Sequence, residues 1–106
     1  MSGSGGGSST WDTPISSCDR LVIETQLSSP QPGVVATLRV GDVLEVALQQ
    51  SGAVAVVVVL QNGVMAGGIA ATSLTQLREC IEGGTMYGAT VISVNGGQIR
   101  VRIAAL

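Results

Sequence analysis

The sequence contains no phenylalanine, no histidine and no lysine, and only one tryptophan and one tyrosine. Without large rings, the core has to be built from Val, Ile, Leu, Ala and Met. Such side chains bury less area per residue, at about 25 cal/mol per Å2 of apolar surface. Without histidine or lysine there is no imidazole base, no Schiff-base amine, and the commonest metal ligand is missing. The five cations are all arginines, Arg20, Arg39, Arg78, Arg100 and Arg102, and the net charge is −2. No generic basic patch is therefore available to hold a phosphate backbone. A compositional bias toward Arg, Ala, Gly and Val suffices to account for the missing lysine. The two cysteines, Cys18 and Cys80, belong to no paired-ligand spacing. Free cysteine is among the most buried residue types. No charged segment followed by an apolar one suggests secretion. Two buried thiols are thus preferred to a disulfide, and a cytoplasmic protein is the default expectation.

At 106 residues the chain has room for one domain with one modest core. Residues 1–17 read as a flexible tail that opens Met-Ser-Gly-Ser-Gly-Gly-Gly-Ser-Ser-Thr, a Gly/Ser linker, native or introduced. Trp11 follows it, read first as an anchor for the tail and second as a contact for a partner. Residues 18–106 read as a single small β-barrel domain. Its centre is Val54–Leu60, an uninterrupted apolar run containing Val56–Val59. The run is too short to span a bilayer, which needs about 20 residues as a helix. Consecutive β-branched residues favour a strand, and one apolar at every position has both faces covered.

The other segments arrange themselves around that strand. Arg20–Leu27 alternates, with Leu21, Ile23, Thr25 and Leu27 on one face. Ser28–Gly33 breaks it, and Pro32 begins a short helix or 3₁₀ turn reaching Leu38. Val43–Gln49 is a strand with Leu44, Val46 and Leu48 inward. Asn62-Gly63 signals a tight type I′ hairpin. Gly67-Gly68 inside the returning strand marks a bulge, or a place where another backbone or a ligand comes close. A helix over Leu74–Ile81 presents Leu74, Leu77 and Ile81, with Cys80 at the stripe's edge. Thr72 or Ser73 caps it and Gly83-Gly84 ends it. Thr85–Val94 and Gln98–Ile103 form a last hairpin, with Gln98, Arg100 and Arg102 on its outer face. The fold class is mainly β with one covering helix. The order β, short helix, β, β, β, α, β, β fits a small barrel of the SH3-like or OB type.

No enzyme constellation emerges, and no cofactor or metal is expected. Asp42 and Glu45 adjoin a turn and an outward face, where solvated charge is the ordinary role. The serines lack a base, and the glycines lack the order of a phosphate loop. Arg100 and Arg102 read as a solvated face that discourages edge pairing, or as a bidentate clamp for phosphate or carboxylate. Tyr87 shares parity with Val91, opposite Ile92 and Val94. That leaves it either packed over the barrel end or partly exposed as a stacking platform.

Val40-Gly41-Asp42-Val43-Leu44-Glu45-Val46 is similar to the Gly-Asp-x-Leu opening strand of HIRAN domains. Asn62-Gly63, Ala66-Gly67-Gly68-Ile69, the helix, and Tyr87-Gly88-Ala89-Thr90-Val91 resemble later parts of that pattern, over about Leu38–Ile103. The resemblance implies an OB-like barrel that binds single-stranded DNA, notably 3′ ends. The chain departs from it at Gln50-Ser51-Gly52-Ala53, where the family has Asn-Pro-x-Asp-x-Asn-Ala. It departs again at Gly68, where the family has an aromatic. That loses a platform worth about 1–3 kcal/mol per stacked base. Two functions are therefore expected, with no membrane association. The first is a non-catalytic binding or assembly module meeting protein partners, or copies of itself, through strand edges and the Gly67-Gly68 region. The alternative is weak single-stranded DNA binding through Tyr87, Arg100 and Arg102.

Overall fold

A computed structural model describes residues 17–71 and 74–106. The Gly/Ser tail, Trp11 and the helix cap at Thr72 or Ser73 lie outside these residues. After a helical turn over residues 17–20, the elements are β1 (Val22–Gln26), α1 (Pro32–Val35), β2 (Val43–Ser51), β3 (Val54–Gln61), β4 (Val64–Gly68), α2 (Leu74–Glu82), β5 (Tyr87–Asn95) and β6 (Gln98–Ala105). The strands form one antiparallel sheet in the order β1-β6-β5-β2-β3-β4. Among the described residues, no helix is long and apolar enough to cross a membrane.

The fold is mainly β, but the expected barrel is not closed. Among the described residues, its two ends are joined by a single bridge, where Ser28, just beyond β1, meets Gly68 at the end of β4. The physical reason is strand length. β1 and β4 have five residues each, and the Ser28–Pro30 loop diverts the chain after a single bridge. Gly67 makes that bridge sterically workable. A Cβ there would stand 3.1 Å from the Ser28 carbonyl oxygen and 3.2 Å from the Leu27 Cβ. The neighbouring ladder also shifts register between Val59 and Leu60. The skipped residue is Ala66, so the bulge lies just before the glycine pair, and the pair itself serves a close backbone approach made within the chain.

β3 is second from one end of the sheet rather than central. Its burial is two-sided only over Val57–Val59, while Val54 is 53% exposed. The inner face gathers Val46, Val57, Val59, Ala89, Val91, Ile99, Val101 and Ile103. α2 covers it with Leu77 and Cys80 buried, and packs on β2 and β3. Asn62 and Gly63 both take positive φ, 52° and 81°, as the type I′ hairpin requires.

Cys18 and Cys80 form a disulfide with Cα atoms 5.5 Å apart. The expectation of two free thiols is therefore corrected. The two cysteines are buried, but bonded, because the helical turn before β1 lies against α2. That contact joins positions 62 apart in sequence, which no spacing rule reveals.

Candidate functional site

Among the described residues, those singled out from the sequence do not come together. Tyr87 is only 2% exposed, so it offers no stacking platform. Its hydroxyl donates to the Cys18 carbonyl at 2.7 Å, bracing the backbone beside the disulfide. Burial, then the Asp19 carboxylate, pushes the phenol above its ordinary range. The exposed alternative failed because β5 is bulged. Ile92 is skipped between the Val91–Val101 and Ser93–Arg100 pairs. Tyr87, Ala89 and Val91 consequently face in together, and Val94 is left 40% exposed.

Arg100 and Arg102 stand exposed on the outer face of β6, as their alternation predicts. Arg102 lies 3.9 Å from Glu24 on β1. An exposed pair of this kind contributes about 0.2–1 kcal/mol and is screened by salt. Gly67 and Gly68 are occupied by Leu27 and Ser28. Among the described residues no three His, Cys, Asp or Glu side chains are grouped to hold a metal.

A different feature stands out. β2 pairs with β5 only over Val43–Glu45, and β3 pairs with β4 only over Val58–Gln61. Residues 46–57 therefore extend as a two-stranded arm, held together by the pairs from Leu48–Val57 to Ser51–Val54. α2 covers the arm's inner face. Its outer face carries Ala47, Gln49, Ser51, Val54 and Val56.

The sheet's other margins are occupied or charged. The Gln31 N–H donates to the Ala66 carbonyl at 2.8 Å along β4. The Ile69 N–H donates to the Val57 carbonyl at 3.0 Å. The Arg78 guanidinium reaches the Ala55 carbonyl at 3.3 Å. β1 carries Glu24 in its middle.

The β5-side edge of β2 beyond Glu45 has no strand partner among the described residues. Asp42 turns its carbonyl toward β5, accepting from the Val91 N–H at 2.8 Å. The two-residue alternation of an antiparallel ladder carries that orientation to Leu48 and Gln50, past the last β5 pair. Their N–H and C=O groups thus point out of the sheet. Beside this edge a groove of about 400 Å3 opens where the chain upstream of Gly88 turns away from β2. Val46, Ile81, Thr85, Met86 and Leu106 line it.

The composition of this region distinguishes it. No charged residue occurs from Val46 to Leu77. Natural sheets usually protect an edge with charge, proline or a bulge. The β2 edge has none of these from Val46 to Ser51. The charge gap was present in the sequence as a signal, but only the pairing limits show which strand edge it leaves open. No family model, curated protein or solved structure matches the chain.

Proposed function

We propose that the protein is a non-catalytic binding or assembly module whose working surface is the open edge of β2. The observation that carries this reading is the conjunction of outward-facing backbone groups at Leu48 and Gln50 with an arm devoid of charge. Main-chain hydrogen bonding to an added strand is a known recognition mode, with alternate side chains supplying specificity. The reading keeps the strand-edge contact expected from the sequence and moves it from Gly67-Gly68 to β2. We read the sheet's curvature as that of an SH3-like or OB-like barrel, on the strength of the Ser28–Gly68 bridge. The bonded Cys18–Cys80 pair favours an oxidising compartment over the cytoplasm.

The alternative, single-stranded DNA binding of the HIRAN type, has less to support it. With Tyr87 buried, it relies on Arg100 and Arg102, the latter shared with Glu24.

The test compares in-cell cross-linking of the tagged full chain with that of its Gln50→Pro variant. Proline at Gln50 removes an outward N–H and no bond to β3. Cross-linked species, whether self or other proteins, are expected with the native chain and lost with the variant. The same species from both would overturn the proposal.

A further inference from the structure

We infer that the groove between β2 and the Thr85–Met86 segment is the seat of Trp11, from the N-terminal segment of this same chain. Trp11 itself lies outside the described residues. Leu48 and Gln50 do not line the groove, so a seated Trp11 leaves the β2 edge open. Three observations select this occupant.

The first is the surface of the groove. Its inner side is lined by Val46, which is buried, and Ile81, which is half-buried. Around them stand Met86, Leu106 and Val43, which are 72%, 78% and 62% exposed. Met86 and Leu106 are the two most exposed large apolar side chains among the described residues. Their backbones are joined, the Leu106 N–H donating to the Met86 carbonyl at 2.9 Å. Leu106 and Val43 both lie against Gly88, where a Cβ would stand 2.7 Å from the Leu106 Cδ2 and 3.0 Å from the Val43 Cγ1.

The second is size and chemistry. At about 400 Å3 the groove is near the small end of binding pockets, with room for one aromatic side chain rather than an added strand or helix. A thioether and branched methyl groups make favourable contacts with a ring. The chain has two aromatic residues, and Tyr87 is already buried in the core. Trp11 is the other.

The third is the tether. The described chain begins at residue 17, and Cys18 is bonded to Cys80 with their Cα atoms 5.5 Å apart. Ile81 follows Cys80 directly, so its Cα lies at most about 9 Å from that of Cys18. Trp11 precedes Cys18 by seven residues, a length of chain that spans up to about 23–25 Å. Its reach therefore exceeds the gap. A tether this short gives a roughly millimolar effective concentration at the groove. A segment of any other molecule would have to displace it.

The measurement is the fluorescence of the full chain, excited where tyrosine does not absorb. Trp11 is the sole tryptophan, so the emission has one source. The native chain is expected to emit to the blue of the urea-denatured chain, at a position independent of protein concentration, and to be quenched several-fold less by acrylamide. Met86→Asp and Leu106→Asp each place a charge at an exposed groove position without entering the core. Both are expected to return emission and quenching to the denatured values with unchanged far-ultraviolet circular dichroism. Val54→Asp, at a position 53% exposed on the arm, should leave the emission as it is in the native chain. In the reverse direction, Trp11→Ala should remove an upfield ring-current shift from the Met86 methyl resonance.

Native emission at the denatured position would overturn the inference. So would a blue-shifted emission that both groove variants leave unchanged, since Trp11 would then be seated elsewhere. A blue shift that develops only on concentration would also overturn it, by making the occupant the tryptophan of a second copy.

Discussion

Removing the disulfide tests how this domain of small apolar side chains is held together. The perturbation is the double substitution Cys18→Ala with Cys80→Ala, which avoids placing hydroxyls at two buried positions. The bond closes a loop across a sequence separation of 62. In the chain-entropy model such a loop contributes about 4 kcal/mol at room temperature through the unfolded state. A domain of this size has a stability of about 5–15 kcal/mol, so the bond accounts for a large share. Among the described residues Tyr87 is the one buried aromatic, and it is itself tied to the Cys18 carbonyl. Losing the bond therefore loosens the tyrosine's anchor as well. The assay is urea unfolding of the native chain and the double variant, followed by far-ultraviolet circular dichroism. With a urea dependence of about 1–3 kcal/mol per molar, the midpoint should fall by about 1.5–4 M. Coincident midpoints would refute the reasoning. So would two titratable thiols in native protein denatured without reductant.

Other expectations follow from the same contacts. Val57→Asp places a carboxylate at a position 1% exposed; its cost should exceed about 4 kcal/mol, most of the stability of a domain at the low end of about 5–15 kcal/mol, and a melt indistinguishable from that of the native chain would contradict it. Gly67→Ala forces a Cβ toward the Ser28 carbonyl and the Leu27 Cβ, both fixed, and should cost about 1–3 kcal/mol by denaturant unfolding. Gly88→Ala meets side chains only, the Cδ2 of Leu106 and the Cγ1 of Val43, and both Leu106 and Val43 are exposed; the substitution should cost less than Gly67→Ala, which meets backbone. For Tyr87, burial raises the folded-state pKa above the ordinary 10.0. Between 10.0 and the folded value, only the unfolded chain releases the proton, so stability should fall with rising pH. Tyr87→Phe should flatten that part of the profile while costing about 1–3 kcal/mol at neutral pH through the unpaired Cys18 carbonyl. A labelled 3′-ended oligonucleotide should give no anisotropy shift at low salt, and a salt-sensitive rise would revive the DNA reading.

Much of the fold was legible because local chemistry and tertiary need coincide. Asn62-Gly63 adopts the positive φ values its turn type demands, and α2 spans the amphipathic stripe around Leu77. The alternation of Gln98–Ile103 placed Ile99, Val101 and Ile103 in the core and Arg100 and Arg102 outside. Gly67-Gly68 marked a close approach, although the approaching backbone is the chain's own Ser28. What was illegible depends on non-local pairing. The disulfide joins two elements whose contact is set only once α2 covers the sheet. The β5 bulge at Ile92 reverses the face of everything upstream of it, which moved Tyr87 from a candidate platform to the core. The open edge was hidden because Val43–Ser51 reads as a uniform strand, while its partner on one side ends after three residues.

The open edge itself is accessible to amide hydrogen exchange, followed residue by residue in dilute protein. Ala47 and Gln49 direct their amides to β3, and Leu48 and Gln50 direct theirs away. Leu48 and Gln50 are expected to exchange rapidly while Ala47 and Gln49 are protected. Equal protection of all four would contradict an open β2 edge.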